Sequence, residues 1–334
     1  MSTIYLTHQG GKVTKQKGQF SFYRPEQTAL ELPIRDISRM LVFGNVHLTT
    51  PVIATCLQTD IPVVFLSQTG QYKGHLWSAT REDLTAEIAQ FARWQDRAFQ
   101  KRMARCLLRG KLENSRQLLL RLNRKRKLAL VKGAISGINA DLQSLERVDD
   151  LDQLRGYEGV AAARYFPALG QLVTVAEFQF SQRSRRPPKD AANALLSFGY
   201  TLLHNNVLSM ILVEGLNPYL GNLHRSDRKE THLAFDLIEE FRSPIVDSLV
   251  MTVINQGVIK PEDFTVSPKG DGIYLSNEAR KTFIQAFERR MSGETAHPAN
   301  QKPVSYRRAI QLQVQCYKRC LTDAADYTPF YRAV

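Results

Sequence analysis

No uninterrupted apolar run in these 334 residues approaches the roughly 18 that a membrane helix needs. The chain opens Met-Ser-Thr-Ile-Tyr-Leu-Thr, without a basic-then-apolar leader. Both absences point to a soluble, cytoplasmic protein. Cysteine is scarce as well: Cys56 and Cys106 stand alone, and Cys316 and Cys320, four apart on one helix face, have no second Cys/His pair at zinc spacing. A disulfide framework is excluded, and reduced thiols are expected. Acidic residues are missing from one stretch in particular, since Glu113 is the single acid between Lys101 and Lys132.

What is present is positive charge. Lysine and arginine outnumber aspartate and glutamate 45 to 32, giving +13 and a pI near 9.6. Twelve of the basic residues fall between Lys101 and Lys132, so that stretch alone carries +11. Each phosphate that such a surface neutralises releases counterions, which makes nucleic acid the expected partner. A solvated helix face is the plainer alternative, but such faces usually mix signs.

Length and patterning predict two domains of α+β class. Gln19–Tyr23 and Leu30–Ile34 alternate polar and apolar residues, and Ile61–Leu66 is a short apolar run between turn formers, so residues 1–80 read as a small β-rich domain. Thr50 as N-cap with Pro51 behind it predicts one helix inside it. Beyond Trp77 the period changes. Thr80 and Asp83 resemble a capping box, and helices are expected over about 82–108, 113–122, 126–146, 158–168, 191–214, 233–254, 276–291 and 304–323, which makes 81–334 an α-helical domain. Asp190 caps the most apolar of these, and Ser243-Pro244 predicts a kink or fresh start in 233–254.

Three places set hard metal ligands beside apolar sequence. Glu158 follows Gly156-Tyr157 at the mouth of a small-residue helix, where the helix dipole would favour a carboxylate in any case. Asn217–His224 is a loop of turn formers that delivers one histidine. His232-Leu-Ala-Phe-Asp236-Leu-Ile-Glu239 puts two carboxylates on one helix face, where like charges are unfavourable unless a cation lies between them. On spacing alone His232 competes with His224 as the nitrogen ligand. Carboxylates with one imidazole suit Mg²⁺ or Mn²⁺ better than zinc, and a divalent ion in a basic protein points to phosphoryl transfer.

Four blocks then resemble, in order, those of the CRISPR adaptation integrase family, the first-numbered Cas protein: Tyr157-Glu158-Gly159 with Tyr165-Phe166; Arg185-Arg186-Pro187-Pro188-Lys189-Asp190 running on to Gly199-Tyr200; Gly221-Asn222-Leu223-His224; and Leu233-Ala234-Phe235-Asp236-Leu237-Ile238-Glu239-Glu240-Phe241-Arg242. The resemblance spans essentially the whole chain. It implies an N-terminal β domain, a helical catalytic domain, a prokaryotic host, a homodimer formed through the N-terminal halves, and assembly on a small ferredoxin-like partner, the second-numbered Cas protein. It also implies metal ligands at Glu158, His224 and Glu239, with Asp236 as a supporting acid able to exchange roles with Glu239.

The implied reaction is transesterification, in which a 3′-hydroxyl of incoming double-stranded DNA attacks a phosphodiester at the edge of a CRISPR repeat during spacer acquisition. Arg185, Arg186 and Lys189 are the candidates for gripping that DNA, with side chains snorkelling over apolar surface as the plainer reading. Asn193 is expected to be a structural amide. A hydrolytic endonuclease on branched or single-stranded DNA would use the same residues with water as nucleophile. A noncatalytic nucleic-acid scaffold would use the acids only as caps.

Overall fold

The computed structural model describes residues 2–24, 27–68, 70–76, 84–224, 230–266, 270, 272–323 and 325–331. Its N-terminal part holds β1 (Ser2–Leu6), β2 (Lys12–Gln16), β3 (Gln19–Arg24), β4 (Gln27–Pro33), β5 (Ile37–Phe43), β6 (His47–Leu48), α1 (Thr50–Gln58), β7 (Val63–Leu66) and β8 (Tyr72–His75). Two four-stranded sheets result, ordered β1-β5-β7-β8 and β4-β3-β2-β6. In the first, β5 pairs parallel with both β1 and β7. A parallel strand covered on both faces is apolar throughout rather than alternating. Met40 and Val42 of β5, with Val63, pack into a core shared with Phe20 and Val52, while Leu41, Phe43, Val64 and Leu66 face the helices.

The rest is mainly helical, as the period change predicts, and this α+β architecture is the one expected. Helices α2 (Thr85–Gln95), α3 (Arg97–Asn123), α4 (Ala129–Ser144), α5 (Leu151–Gln171), α6 (Ala191–Val213), α7 (His232–Phe241), α8 (Ser248–Asn255), α9 (Asn277–Ser292) and α10 (Tyr306–Thr322) pack around one apolar cluster. By length and composition α6 could cross a bilayer, but its burial against the other helices marks it as the core helix of this cluster. Asp190, Ser276 and Ser305 each accept a backbone N–H three residues on at the starts of α6, α9 and α10.

Several boundaries differ from those read in the sequence. The break expected near Gly110 lies instead at Asp96, whose carboxylate accepts from Ala98 and Phe99 N–H and starts the 27-residue α3. Gly110 does not end the helix; a Cβ there would come within 2.9 Å of Glu240, so the glycine admits a close approach of α7. Helix α5 starts seven residues early, capped by Asp150. Glu158 is therefore interior to the helix, and the dipole account of it is withdrawn. The cap of α1 is Thr49 rather than Thr50. Two hairpins, Phe264–Val266 with Ile273–Leu275 and Glu294–His297 with Asn300–Ser305, interrupt a region expected to be helical. Trp77, the Thr80–Asp83 box and the boundary near residue 80 lie outside the described residues.

At Ser243-Pro244 the backbone widens into a π-helical turn, Arg242–Asp247, between α7 and α8. Pro244 has no N–H to give the Glu240 carbonyl, and Asn114 of α3 donates its side-chain amide there instead, at 2.7 Å. The kink thus fastens α7 to α3.

Candidate metal centre

Three elements meet at one point. Glu158 comes from the middle of α5, His224 from the loop before α7 and Glu239 from the last turn of α7. One ligand atom from each lies within 4.8 Å of the others. The loop is docked rather than draped. Arg155, one turn before Glu158 on α5, donates to the Leu223 carbonyl at 2.7 Å, and the Asp236 carboxylate accepts from the N–H groups of Asn222, Leu223 and His224. Gly221 permits this closeness, because a Cβ there would lie 2.7 Å from His232 Cβ.

Asp236 also fixes the imidazole. Its Oδ1 lies 2.6 Å from His224 Nδ1, and a carboxylate flanked by backbone donors can only accept, so Nδ1 carries the proton. His224 Nε2 is left facing Glu239 Oε1 at 4.0 Å. Burial pushes the His224 pKa down, but the Asp236 hydrogen bond and charge, joined by Glu239 and Glu158, outweigh it and raise the pKa. Asp236 is thus engaged with the loop and the ring, and it stands outside the three-residue cluster. His232 is buried below Gly221 and also stands outside it.

Two basic side chains enter the cluster. Lys111 Nζ lies 2.7 Å from Glu158 Oε1 and 2.8 Å from Glu239 Oε2, and the Arg242 guanidinium lies 3.0 Å from Glu239 Oε1. Both Glu239 oxygens meet these cations as charges without an aligned hydrogen bond. Burial pushes the Glu158 carboxyl up, yet the Lys111 charge and hydrogen bond, with His224 and Arg242, hold it down at about 2. Arg242 also lies 4.8 Å above the Tyr200 ring. In sequence, Lys111 stands out only as part of the basic run, and Arg242 only as the end of the fourth block. A signal for Lys111 existed: it shares a helix face with Leu107, Leu108 and Leu118, where a charge is out of place without a partner.

Part of that run is tied to partners within the protein. Lys101 pairs with Asp149, Arg109 with Glu146 and Arg116 with Glu113, while Arg105 donates to the Val148 carbonyl and Arg121 to Ser248. Arg124–Lys127 and Lys132 are exposed.

The donor set fits a hard divalent ion: two carboxylates and one imidazole converge, and a fully buried acid, Glu239, has oxygens without an aligned donor. Beside the cluster opens a cavity of about 990 Å³ whose lining includes Arg185, Arg186, Tyr200, Phe235, Arg242 and Arg280. Lys189 is exposed but lies outside that lining. Asn193 ties down the chain ahead of α6, donating to Gln182 O and Asp190 and accepting from Arg183 and Ser184 N–H. All four cysteines are free thiols.

The family model for the CRISPR associated protein Cas1 matches residues 4–289. The chain belongs to the Cas1 family. A relative from Thermus thermophilus, named CRISPR-associated endonuclease Cas1 1, is 34% identical over 331 residues, covering 98% of this chain and 99% of its own. Among solved structures, a casposase bound to its integration product superposes with a TM-score of 0.84 at 21% identity, covering 98% of this chain and 93% of the casposase. A Cas6-RT-Cas1 chain in complex with Cas2 gives 0.83 at 23% identity, covering all of this chain and 36% of that one. At those identities the two structures speak for the fold alone.

Proposed function

We propose that this Cas1 family member is a metal-dependent DNA endonuclease and integrase that joins spacer DNA into a CRISPR repeat by 3′-hydroxyl transesterification. The observation that carries this reading is the convergence of Glu158, His224 and Glu239 within 4.8 Å beside a cavity lined by arginine and aromatic side chains. The three would hold Mg²⁺ or Mn²⁺, which when bound polarises the scissile phosphate and offsets charge on the attacking and leaving oxygens. The protein's own part is positioning. Asp236 fixes the His224 tautomer so that Nε2 is presented as a ligand. Arg242 is held between Glu239 and Tyr200, with its guanidinium in the cavity wall. Arg185 and Arg186, with Lys189 close by in sequence, grip the DNA backbone, and the arginine and aromatic lining suits a polynucleotide strand.

Because one phosphodiester bond forms as another breaks, no nucleotide cofactor is required. Relatives named as endonucleases support the same reading, and structures of like fold are titled for an integration product and a Cas2 complex. The chain then acts in the cytoplasm as a homodimer through its N-terminal β region, residues 1–80, assembled with Cas2, while residues 81–334 form the catalytic domain. The test is a strand-transfer assay with a 3′-hydroxyl donor duplex, a supercoiled repeat-bearing plasmid, Cas2 and Mn²⁺. Joined product that disappears on Glu158→Ala, with DNA binding retained, is expected. Hydrolysis products alone would assign an endonuclease without integration. Activity indifferent to Glu158→Ala would assign a scaffold.

A further inference from the structure

The cluster contains a cation of its own. Lys111 rises from the middle of α3 with only 14% of its side chain exposed, and its ammonium bridges Glu158 Oε1 and Glu239 Oε2 at 2.7 and 2.8 Å. Those acids are two of the three groups that converge within 4.8 Å. A hard divalent ion in that cluster draws on the same carboxylate oxygens. Arg242 is a less yielding neighbour, since its guanidinium is pinned between Glu239 and the face of Tyr200. A lysine ammonium is a compact point charge on a flexible stem, able to leave one carboxylate while keeping the other.

We propose that Lys111 is a positioning residue that competes with the divalent ion for Glu158 and Glu239. It clamps two like-charged acids at ligand spacing and yields oxygen to the ion, so the affinity for metal is set by the difference between two cations. The proposal rests on reading the cluster as a metal centre. It follows that removing the ammonium loosens the cluster without metal and tightens its hold on metal, because the competitor is gone while all three ligands remain.

Lys111→Met keeps most of the stem and removes the charge. With Mn²⁺ alone as probe, read by electron paramagnetic resonance of the free ion, the variant is expected to bind about tenfold tighter than the native chain. Its melting temperature in EDTA should fall below the native value, and the gap between EDTA and saturating Mn²⁺ should widen. Equal or weaker Mn²⁺ binding by a folded Lys111→Met protein overturns the proposal. A second measurement covers the case in which that variant does not fold. In the native chain with ¹⁵N-labelled lysine, the Lys111 Nζ signal should move with the same midpoint as Mg²⁺ binding, and a signal indifferent to bound Mg²⁺ overturns the proposal equally. A native chain that binds neither ion removes the metal centre itself, a failure distinct from that of a centre Lys111 does not contest.

Discussion

Glu239 and Glu240 are consecutive on α7, both essentially buried, and they face opposite environments. Successive helical residues point about 100° apart, so one carboxylate meets α3, α5 and the histidine loop while the other turns toward α10 and the C-terminal segment. On the Glu239 side lie Lys111, Arg242 and His224. On the Glu240 side the partners are neutral: Oε2 accepts from Gln313 Nε2 at 2.8 Å and Tyr327 OH at 3.1 Å, and Oε1 has no aligned hydrogen bond among the described residues. Burial pushes the Glu240 carboxyl up to about 8 despite those hydrogen bonds. Burial alone therefore does not make a metal ligand. A carboxylate surrounded by cations can exchange one cation for another, whereas a carboxyl among amides and phenols tends to keep its proton.

The widest separation is expected in DNA joining. Glu239→Gln should lower it well beyond the ~100-fold typical of losing a ligand's supporting partner, while Glu240→Gln should leave it within a few fold. A strand-transfer time course compares the two, and equal losses would erase the contrast.

Asp236→Asn comes next. An asparagine turns one oxygen into a donor facing His224, so both joining and Mn²⁺ affinity should fall about 10–100-fold with the melting temperature in EDTA much less affected. Unchanged Mn²⁺ affinity would show that the ring needs no orienting partner.

Stability against pH separates the two sides with opposite signs. Glu240 has a folded pKa near 8 against an ordinary 4.5, so its contribution is complete below about 4.5 and is lost as pH rises toward 8. Glu240→Gln should remove up to a few kcal/mol of that alkaline loss, read by urea unfolding at pH 5 and pH 8.5. Glu158 is held down near 2, so its contribution is present above 4.5 and lost as pH falls toward 2, and Glu158→Gln should flatten that acid limb. Identical pH profiles for native and variant proteins would contradict the assigned environments.

The smallest effects belong to the arginines of the cavity rim and to the exposed Lys189 near them in sequence. Arg185→Ala, Arg186→Ala and Lys189→Ala should each lower the salt dependence of duplex binding by about one unit of slope without shifting the melting temperature. A slope unchanged in all three would move the DNA path elsewhere, toward the exposed turn at Arg124–Lys127.

Much of this molecule could be read before it was seen folded. The change from period two to helical period marked the β-rich start, Asp190 marked α6, and four blocks of residues marked the family. Other features were hidden for physical reasons. A glycine looks the same in sequence whether it ends a helix or admits a neighbour, so Gly110 alone does not tell that α3 runs through it. Small residues around Glu158 concealed the extra turns of α5 that Asp150 starts. Charge counting treated Lys101–Lys132 as one surface, although half of those side chains are tied to partners within the protein.

By itself the sequence determined which residues could be ligands, because carboxylate and imidazole chemistry and apolar surroundings are local properties. Only tertiary structure decided which of them act together. Asp236 and Glu239 are three residues apart on one helix, yet Asp236 is committed to the backbone of the His224 loop and Glu239 to the side chains of α3 and the π-helical turn. What a carboxylate binds is set by the elements packed against it: for Asp236 a loop 12 to 14 residues earlier, and for Glu239 a lysine on α3, more than a hundred residues earlier in the chain.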